Sequence, residues 1–292
     1  MKGTSGTFGY RQFRLGDRDI YSLHDGHTDR PVRDGMVTNA SAAEISAALR
    51  AAGLPPDHVR SHFTALALRD RDRLTLIDTG TGGSPVYGPD CGFLTASMMV
   101  AGLNPGSVST ILITHLHGDH IYGLMDPATL QPRFPDAEII VPAVDLHWWT
   151  QPGVAALDLG PTRVGLADRI AATIAVWPNV RTFEAGTEVM PGVHAIAAYG
   201  HSPGHTAFLV MSGATQLFMT ADVAQNPALF LRHPHWRSAL DQDPATAAET
   251  RRRLFDRIAS ERGLVTGTHW GFSSVGTVAR DGDGYAFEPM VG

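Results

Sequence analysis

The chain has a single cysteine, Cys91, and a single lysine, Lys2, among 292 residues. A lone cysteine closes no internal disulfide and builds neither a thiolate metal cage nor a CxxC redox pair. With lysine confined to position 2, Schiff-base chemistry has almost no candidate. No apolar run approaches the roughly 20 residues that a membrane span requires. Residues Met1 to Gly9 also lack the apolar core of a secretory leader. A cytoplasmic location is expected, with no membrane partner. Basic charge is short as well: 23 Lys and Arg face 29 Asp and Glu, for a net charge of -6. That balance offers no basic stripe for displacing counterions, so no nucleic-acid partner is expected. What the chain does have is 14 histidines. Any metal it binds would be held by nitrogen and oxygen.

No Gly/Ser linker, Pro-rich spacer or charge block divides the sequence, which reads as one domain over 1–292. The first ninety residues read as hairpins around one helix. Strand-like runs flank Gly16-Asp17, and others, His62–Leu68 and Leu74–Asp78, flank a polar turn. Ser41 and Glu44 have capping-box spacing ahead of a helix ending near Gly53. Beyond it the pattern predicts helices over Pro89–Ala101, up to Trp149, over Pro161–Trp177 and over Pro244–Arg262. Strands are predicted at Thr110–Thr114, Glu138–Val141, Val193–Ala198, Ala207–Met211, Gln216–Thr220 and Leu264–Thr266, before a closing hairpin around 281–284. Such mixing implies α/β or α+β layers. Two irregular segments, 151–160 and 225–243, read as insertions that wall a pocket.

The decisive stretch is Ile111-Leu112-Ile113-Thr114-His115-Leu116-His117-Gly118-Asp119-His120. A buried apolar strand ends, and four potential ligands follow within six residues. Alternate residues of an extended turn project to one side, so His115 and His117 can grip one ion while Asp119 and His120 reach a neighbouring one. Three later segments add to this. His201 and His205 surround a Pro-Gly turn, Asp222 ends an apolar strand, and His269 follows the strand from Leu264. A carboxylate such as Asp222 is costly to bury without a partner.

Together these residues resemble the metallo-β-lactamase superfamily, whose HxHxDH signature is met by His115, His117, Asp119 and His120. The resemblance runs from the early hairpins and Leu76-Ile77-Asp78-Thr79-Gly80 to the terminal hairpin, and is nearest to the branch with methyl parathion hydrolase and the N-acyl homoserine lactonases. It implies an α+β fold, a four-layer αβ/βα sandwich of two mixed sheets flanked by helices. It also implies two divalent metal ions, Zn2+ first, with Fe, Mn or Co as alternatives. Carried over, His115, His117 and His205 bind one ion, Asp119, His120 and His269 the other, and Asp222 bridges them. His201 then supports the loop of His205, and Asp78 orients a ligand imidazole. With Asp119, Asp222 and a hydroxide, such a cluster keeps about one net positive charge. That is enough to polarise a carbonyl or phosphoryl oxygen, and a metal makes hydroxide available near neutrality. In the expected mechanism Asp119 or water assists protonation of the leaving group.

Some positions depart from the pattern. Tyr122 stands where a glycine usually follows the signature. The tyrosine that lactonases carry shortly after the bridging aspartate is missing, since Asp222 is followed by Val223-Ala224-Gln225. Tyr122 is a candidate to replace it. Ala221 takes the place of the usual glycine before that aspartate, a change the site should survive. Trp148, Trp149, Phe230, Trp236 and Phe272 are further candidates for a pocket wall. The expected activity is hydrolysis of small carboxylic esters or lactones. Phosphotriester hydrolysis is the alternative, and an iron-dependent persulfide oxygenase the alternative of another class. The expected partner is a small-molecule substrate, and a homodimer is expected by analogy alone.

Overall fold

The computed structural model describes residues 8–157, 159–177, 179–272 and 275–290. Position 158, inside the first expected insertion, lies outside them, as do both ends of the expected 1–292 domain. Seven strands form one sheet in chain order: β1 (Gly9–Leu15), β2 (Arg18–Pro31), β3 (His58–Asp70), β4 (Arg73–Ile77), β5 (Val108–Leu112), β6 (Glu138–Pro142) and β7 (Val180–Phe183). Pairing is antiparallel from β1 to β4 and parallel from β4 to β7. A second seven-stranded sheet contains β8 (Glu188–Met190), β9 (Val193–Ala197), β10 (Thr206–Ser212), β11 (Thr215–Met219), β12 (Leu264–Thr266), β13 (Gly276–Asp281) and β14 (Gly284–Pro289). There only β11 and β12 run parallel.

The helices are α1 (Ala42–Ala51), α2 (Leu94–Val100), α3 (Gly118–Ile121), α4 (Ala143–Trp149), α5 (Leu166–Val176) and α6 (Pro244–Glu261). Central strands are apolar on both faces because both faces are covered. On β10, Phe208 and Val210 turn toward the other sheet while Ala207 and Leu209 turn toward the helices. Between the sheets they meet Leu66, Ile77, Leu112 and Ile140. Residues of α2, α4 and α5 cover the outer face of the first sheet, and residues of α1 and α6 that of the second. The result is the four-layer sandwich the resemblance implied. Each such aliphatic or aromatic side chain contributes about 1.5–3 kcal/mol through burial. No described helix is long and apolar enough to cross a membrane.

Several boundaries differ from the sequence reading. The capping box at Ser41 and Glu44 is present and starts α1 at Ala42. The helix expected over Pro89–Ala101 forms only over Leu94–Val100, because the buried Asp25 carboxylate accepts the Leu94 N–H. The one expected over Pro161–Trp177 is split: a short turn at Pro161–Arg163 is followed by Gly165 at φ +69°, and α5 begins only at Leu166. Strands β7 and β8 were not anticipated. They are short edge strands whose exposed residues give little alternation.

Candidate metal centre

The loops that leave β4, β5, β11 and β12 and the one entering β10 meet at one end of the sandwich. Asp78, just past β4, has φ +62° and points its carboxylate across to the next loop. It accepts from the Thr114 N–H and hydroxyl, both at 2.8 Å, and from His120 Nδ1 at 2.8 Å. Asp78 thus fixes the tautomer and aim of His120, leaving Nε2 free to face the centre. Asp145, at the start of α4, ties two loops together. It accepts from the Leu116 N–H at 2.7 Å, the Ser202 hydroxyl at 2.6 Å and the Gly204 N–H at 2.9 Å. A Cβ at Gly204 would lie 2.2 Å from the Asp145 nitrogen, so this approach requires glycine.

Three imidazole nitrogens converge. His117 Nδ1 lies 2.9 Å from both His115 Nε2 and His201 Nε2. His201 Nδ1 lies 2.9 Å from Asp241 and its Nε2 3.2 Å from Asp222, so the ring is held between two carboxylates. Burial holds the His115 and His117 imidazoles far below their ordinary pKa, and therefore neutral. A second group contains Asp119, His120 and His269. His269 Nδ1 donates to the His62 carbonyl at 2.9 Å, and its Nε2 lies 3.4 Å from Asp119. Asp222 stands between the groups, 3.2 Å from His201, 3.2 Å from His120 and 2.9 Å from His269. Burial alone would raise the Asp222 carboxyl, but His269, His120 and His201 hold it well below the usual range.

This donor set fits divalent cations. Neutral imidazoles and ionised carboxylates are the protonation states that ligation needs. His120 Nε2 and Asp222 Oδ1 are buried without a hydrogen-bond partner, and each faces the cluster. Against the penalty of burial, Asp78, Asp222 and Asp119 favour a positive charge at His120. A cation among the same groups satisfies that field without protonating the ring.

Residues 64–269 match the metallo-beta-lactamase superfamily. The chain belongs to that superfamily. Among solved structures it is similar to AidC, described as a dizinc quorum-quenching lactonase, with a TM-score of 0.89 and 22% identity over 98% of this chain and 99% of that one. It is also similar to AbOPH, a hydrolase in the beta lactamase superfamily, with a TM-score of 0.88 and 24% identity over 99% of both chains. A stretch of 80 residues is 39% identical to ribonuclease Z of Pseudomonas putida, covering 26% of this chain and 25% of that protein. This metallo-beta-lactamase superfamily chain thus carries a His/Asp cluster suited to divalent metal.

The structure brings all seven expected ligand positions and both supporting residues into the cluster, and besides the two groups above His115, His205 and Asp222 form a third that could hold a metal ion. His205 was expected on the metal and His201 in support. Both His205 nitrogens are engaged by backbone: Nδ1 donates to the Ala198 carbonyl at 3.0 Å, and Nε2 accepts the Asp222 N–H at 3.2 Å. Both histidines reach the cluster, His205 beside His115 and Asp222, and His201 beside His115 and His117. Ala221 sits at φ +47°, where a glycine is relaxed and an alanine costs about 1 kcal/mol.

A cleft of ≈ 420 Å³ opens over the cluster, lined by Tyr87, His117, Asp119, Arg163, His201, Asp222 and His269 among others. It shares Arg30, Ser61, Gln225 and Leu240 with an apolar branch of ≈ 1010 Å³ that contains Met36, Val59, Leu229 and Phe230. Segment 225–243 supplies much of that wall. Leu159 and Gly160 of segment 151–160 line a further cleft with Trp148. Of the aromatic candidates, Phe230 is on the apolar branch. Tyr122 is buried under Arg169, whose guanidinium lies 3.8 Å from the ring centroid. Trp149 is buried with its ring 6.0 Å from His117, Trp236 stacks on His233, and Phe272 packs against His24.

The phenol in the cleft is instead Tyr87, whose hydroxyl donates to Asp119 Oδ1 at 3.2 Å. Burial and the Asp119 charge push its pKa up, so it stays a donor. A Cβ at Gly118 would lie 2.7 Å from that hydroxyl, so the glycine of the signature makes room for it. The sequence offered no signal for Tyr87, Arg163, Asp145 or Asp241, which are placed by tertiary folding from loops and helix starts.

Proposed function

We propose that the chain is a two-metal hydrolase of small carboxylic esters or lactones. In this reading His115, His117 and His201 hold one cation, Asp119, His120 and His269 the other, and Asp222 joins them. Two such cations would supply Lewis-acid polarisation of a carbonyl and an activated water near neutral pH. The observation that carries the reading is Asp222, within 3.2 Å of an imidazole from each group and with one oxygen left without a hydrogen bond.

The protein's own groups supply the rest. Asp119 turns one oxygen to Tyr87 and the other to His269, so it can take a proton from water and return it to the leaving alcohol. Tyr87 holds Asp119 in that orientation and offers its O–H to an oxygen that gains charge. The missing lactonase tyrosine after Asp222 is thereby replaced from another loop. The apolar branch suits the acyl or aryl part of an ester, and the lactone chemistry of AidC on the same fold supports this class.

A panel of lactones, aryl esters and one phosphotriester, compared by kcat/KM, tests the reading. Highest values on a carboxylic ester or lactone agree with it. Turnover confined to the phosphotriester, or no turnover at all, contradicts it.

A further inference from the structure

Arg30 stands at the mouth between the metal cleft and the apolar branch, and lines both. Among the described residues its guanidinium has no hydrogen bond or ion pair. The neighbouring Asp29 is already taken, accepting from Arg60 Nε and Nη2 at 2.8 and 2.7 Å. The one carboxylate on the branch is Asp34, whose Oδ1 accepts the Ala42 N–H. The two carboxylates of the metal cleft, Asp119 and Asp222, both face the imidazole cluster. A second guanidinium, Arg163, lies in the same cleft, held by the Leu159 and Leu240 carbonyls and by no carboxylate. Two guanidiniums that form no ion pair among the described residues, beside a centre built for further positive charge, form a field that favours an anion. A free guanidinium fork matches a carboxylate through two parallel hydrogen bonds.

We infer that the substrate is an ester or lactone bearing a carboxylate, received by Arg30 at the junction of cleft and branch, with Arg163 adding to the attraction. The scissile carbonyl then lies toward the metal cluster and the apolar part toward Phe230. This rests on the hydrolase reading above and adds the charge of its substrate. Arg30 is the residue to change, because it holds nothing else in place, whereas Arg163 also anchors two backbone carbonyls.

The test compares kcat/KM for phenyl hydrogen adipate with that for the phenyl ester of adipamic acid, which replaces the carboxylate by a neutral amide. The holoenzyme should prefer the anionic ester, and Arg30→Gln should lower that ratio about 10- to 100-fold, the range for a charged hydrogen bond. Arg30→Glu should move the preference toward an ester carrying an ammonium group. Equal use of the two esters by the parent, or a ratio unchanged in Arg30→Gln, overturns the inference while leaving the hydrolase reading intact. If neither ester is cleaved, the lactone and ester panel decides the hydrolase reading, and calorimetry still decides the inference. Adipamate should then bind the parent at least tenfold more tightly than Arg30→Gln, with neutral adipamide indifferent to the change. Direct ligation of the carboxylate by metal would be equal in both proteins, so equal adipamate affinity overturns the inference.

Discussion

Replacing His201 and His205 separately by alanine distinguishes a metal ligand from a structural brace. His205 is fully buried, and its loss strands the Ala198 carbonyl and the Asp222 N–H. An unsatisfied buried group costs about 1–3 kcal/mol, so His205→Ala should lose about 2–6 kcal/mol before any cavity is counted. At about 2–4 °C per kcal/mol for a chain of this size, the melting temperature should fall by roughly 5–20 °C. Metal stoichiometry in the surviving folded protein should remain two. His201→Ala removes one of three converging nitrogens and leaves Asp241 with Arg251 at 3.6 Å. Loss of an outer partner alone weakens metal binding about 10–100-fold, so loss of the ligand should exceed about 100-fold. Elemental analysis after equilibrium dialysis, paired with thermal unfolding, reads both effects. If His205→Ala sheds a metal while His201→Ala keeps both, the assignment drawn from the hydrogen bonds is wrong.

Three further outcomes follow from the same geometry. Tyr87→Phe keeps the ring among Phe63 and Tyr122 but removes the donor to Asp119, so kcat should fall about 100-fold with little change in fold, as judged by steady-state kinetics and circular dichroism. Asp78→Asn leaves His120 Nδ1 without its carboxylate, and metal affinity should fall about 10–100-fold in a competition titration with a chelator. His24 and His62 lie 3.3 Å apart, and burial first, then mutual repulsion among His24, His27 and His62, lowers each to about 4 from 6.5. Folded protein therefore binds fewer protons than unfolded protein between those values, and stability falls as pH drops from about 6.5 to 4. His24→Gln should flatten the fall of melting temperature across that window, and an unchanged slope would count against the burial argument.

The HxHxDH stretch was legible because four ligands within six residues, placed after an apolar strand, define their own geometry. The mix of strands and helices gave α/β or α+β layers, and the four-layer sandwich followed from the resemblance that the HxHxDH stretch carries. The choice between His201 and His205 was not legible. Both sit around the same turn and both reach the cluster, and only their contacts to Asp241, the Ala198 carbonyl and the Asp222 N–H, made by distant segments, set them apart. Tyr87 escaped notice for a similar reason. The chain there reads as the approach to a helix, and only the pull of Asp25 on Thr81 and Leu94 folds it back toward Asp119. Arg30 lies on a strand of polar residues, and nothing in the spacing marks it as unpartnered.

The central claim is that hydrolysis depends on two metals held by this cluster. Its most direct measurement is activity on a preferred ester or lactone as metal is returned to stripped protein. Stripping should abolish turnover, and activity should recover and level off at two equivalents of divalent metal per chain, with Asp222→Ala recovering neither. Hydrolysis that survives stripping would contradict the account. So would a chain that refills with a single iron, consumes oxygen and leaves esters and lactones intact.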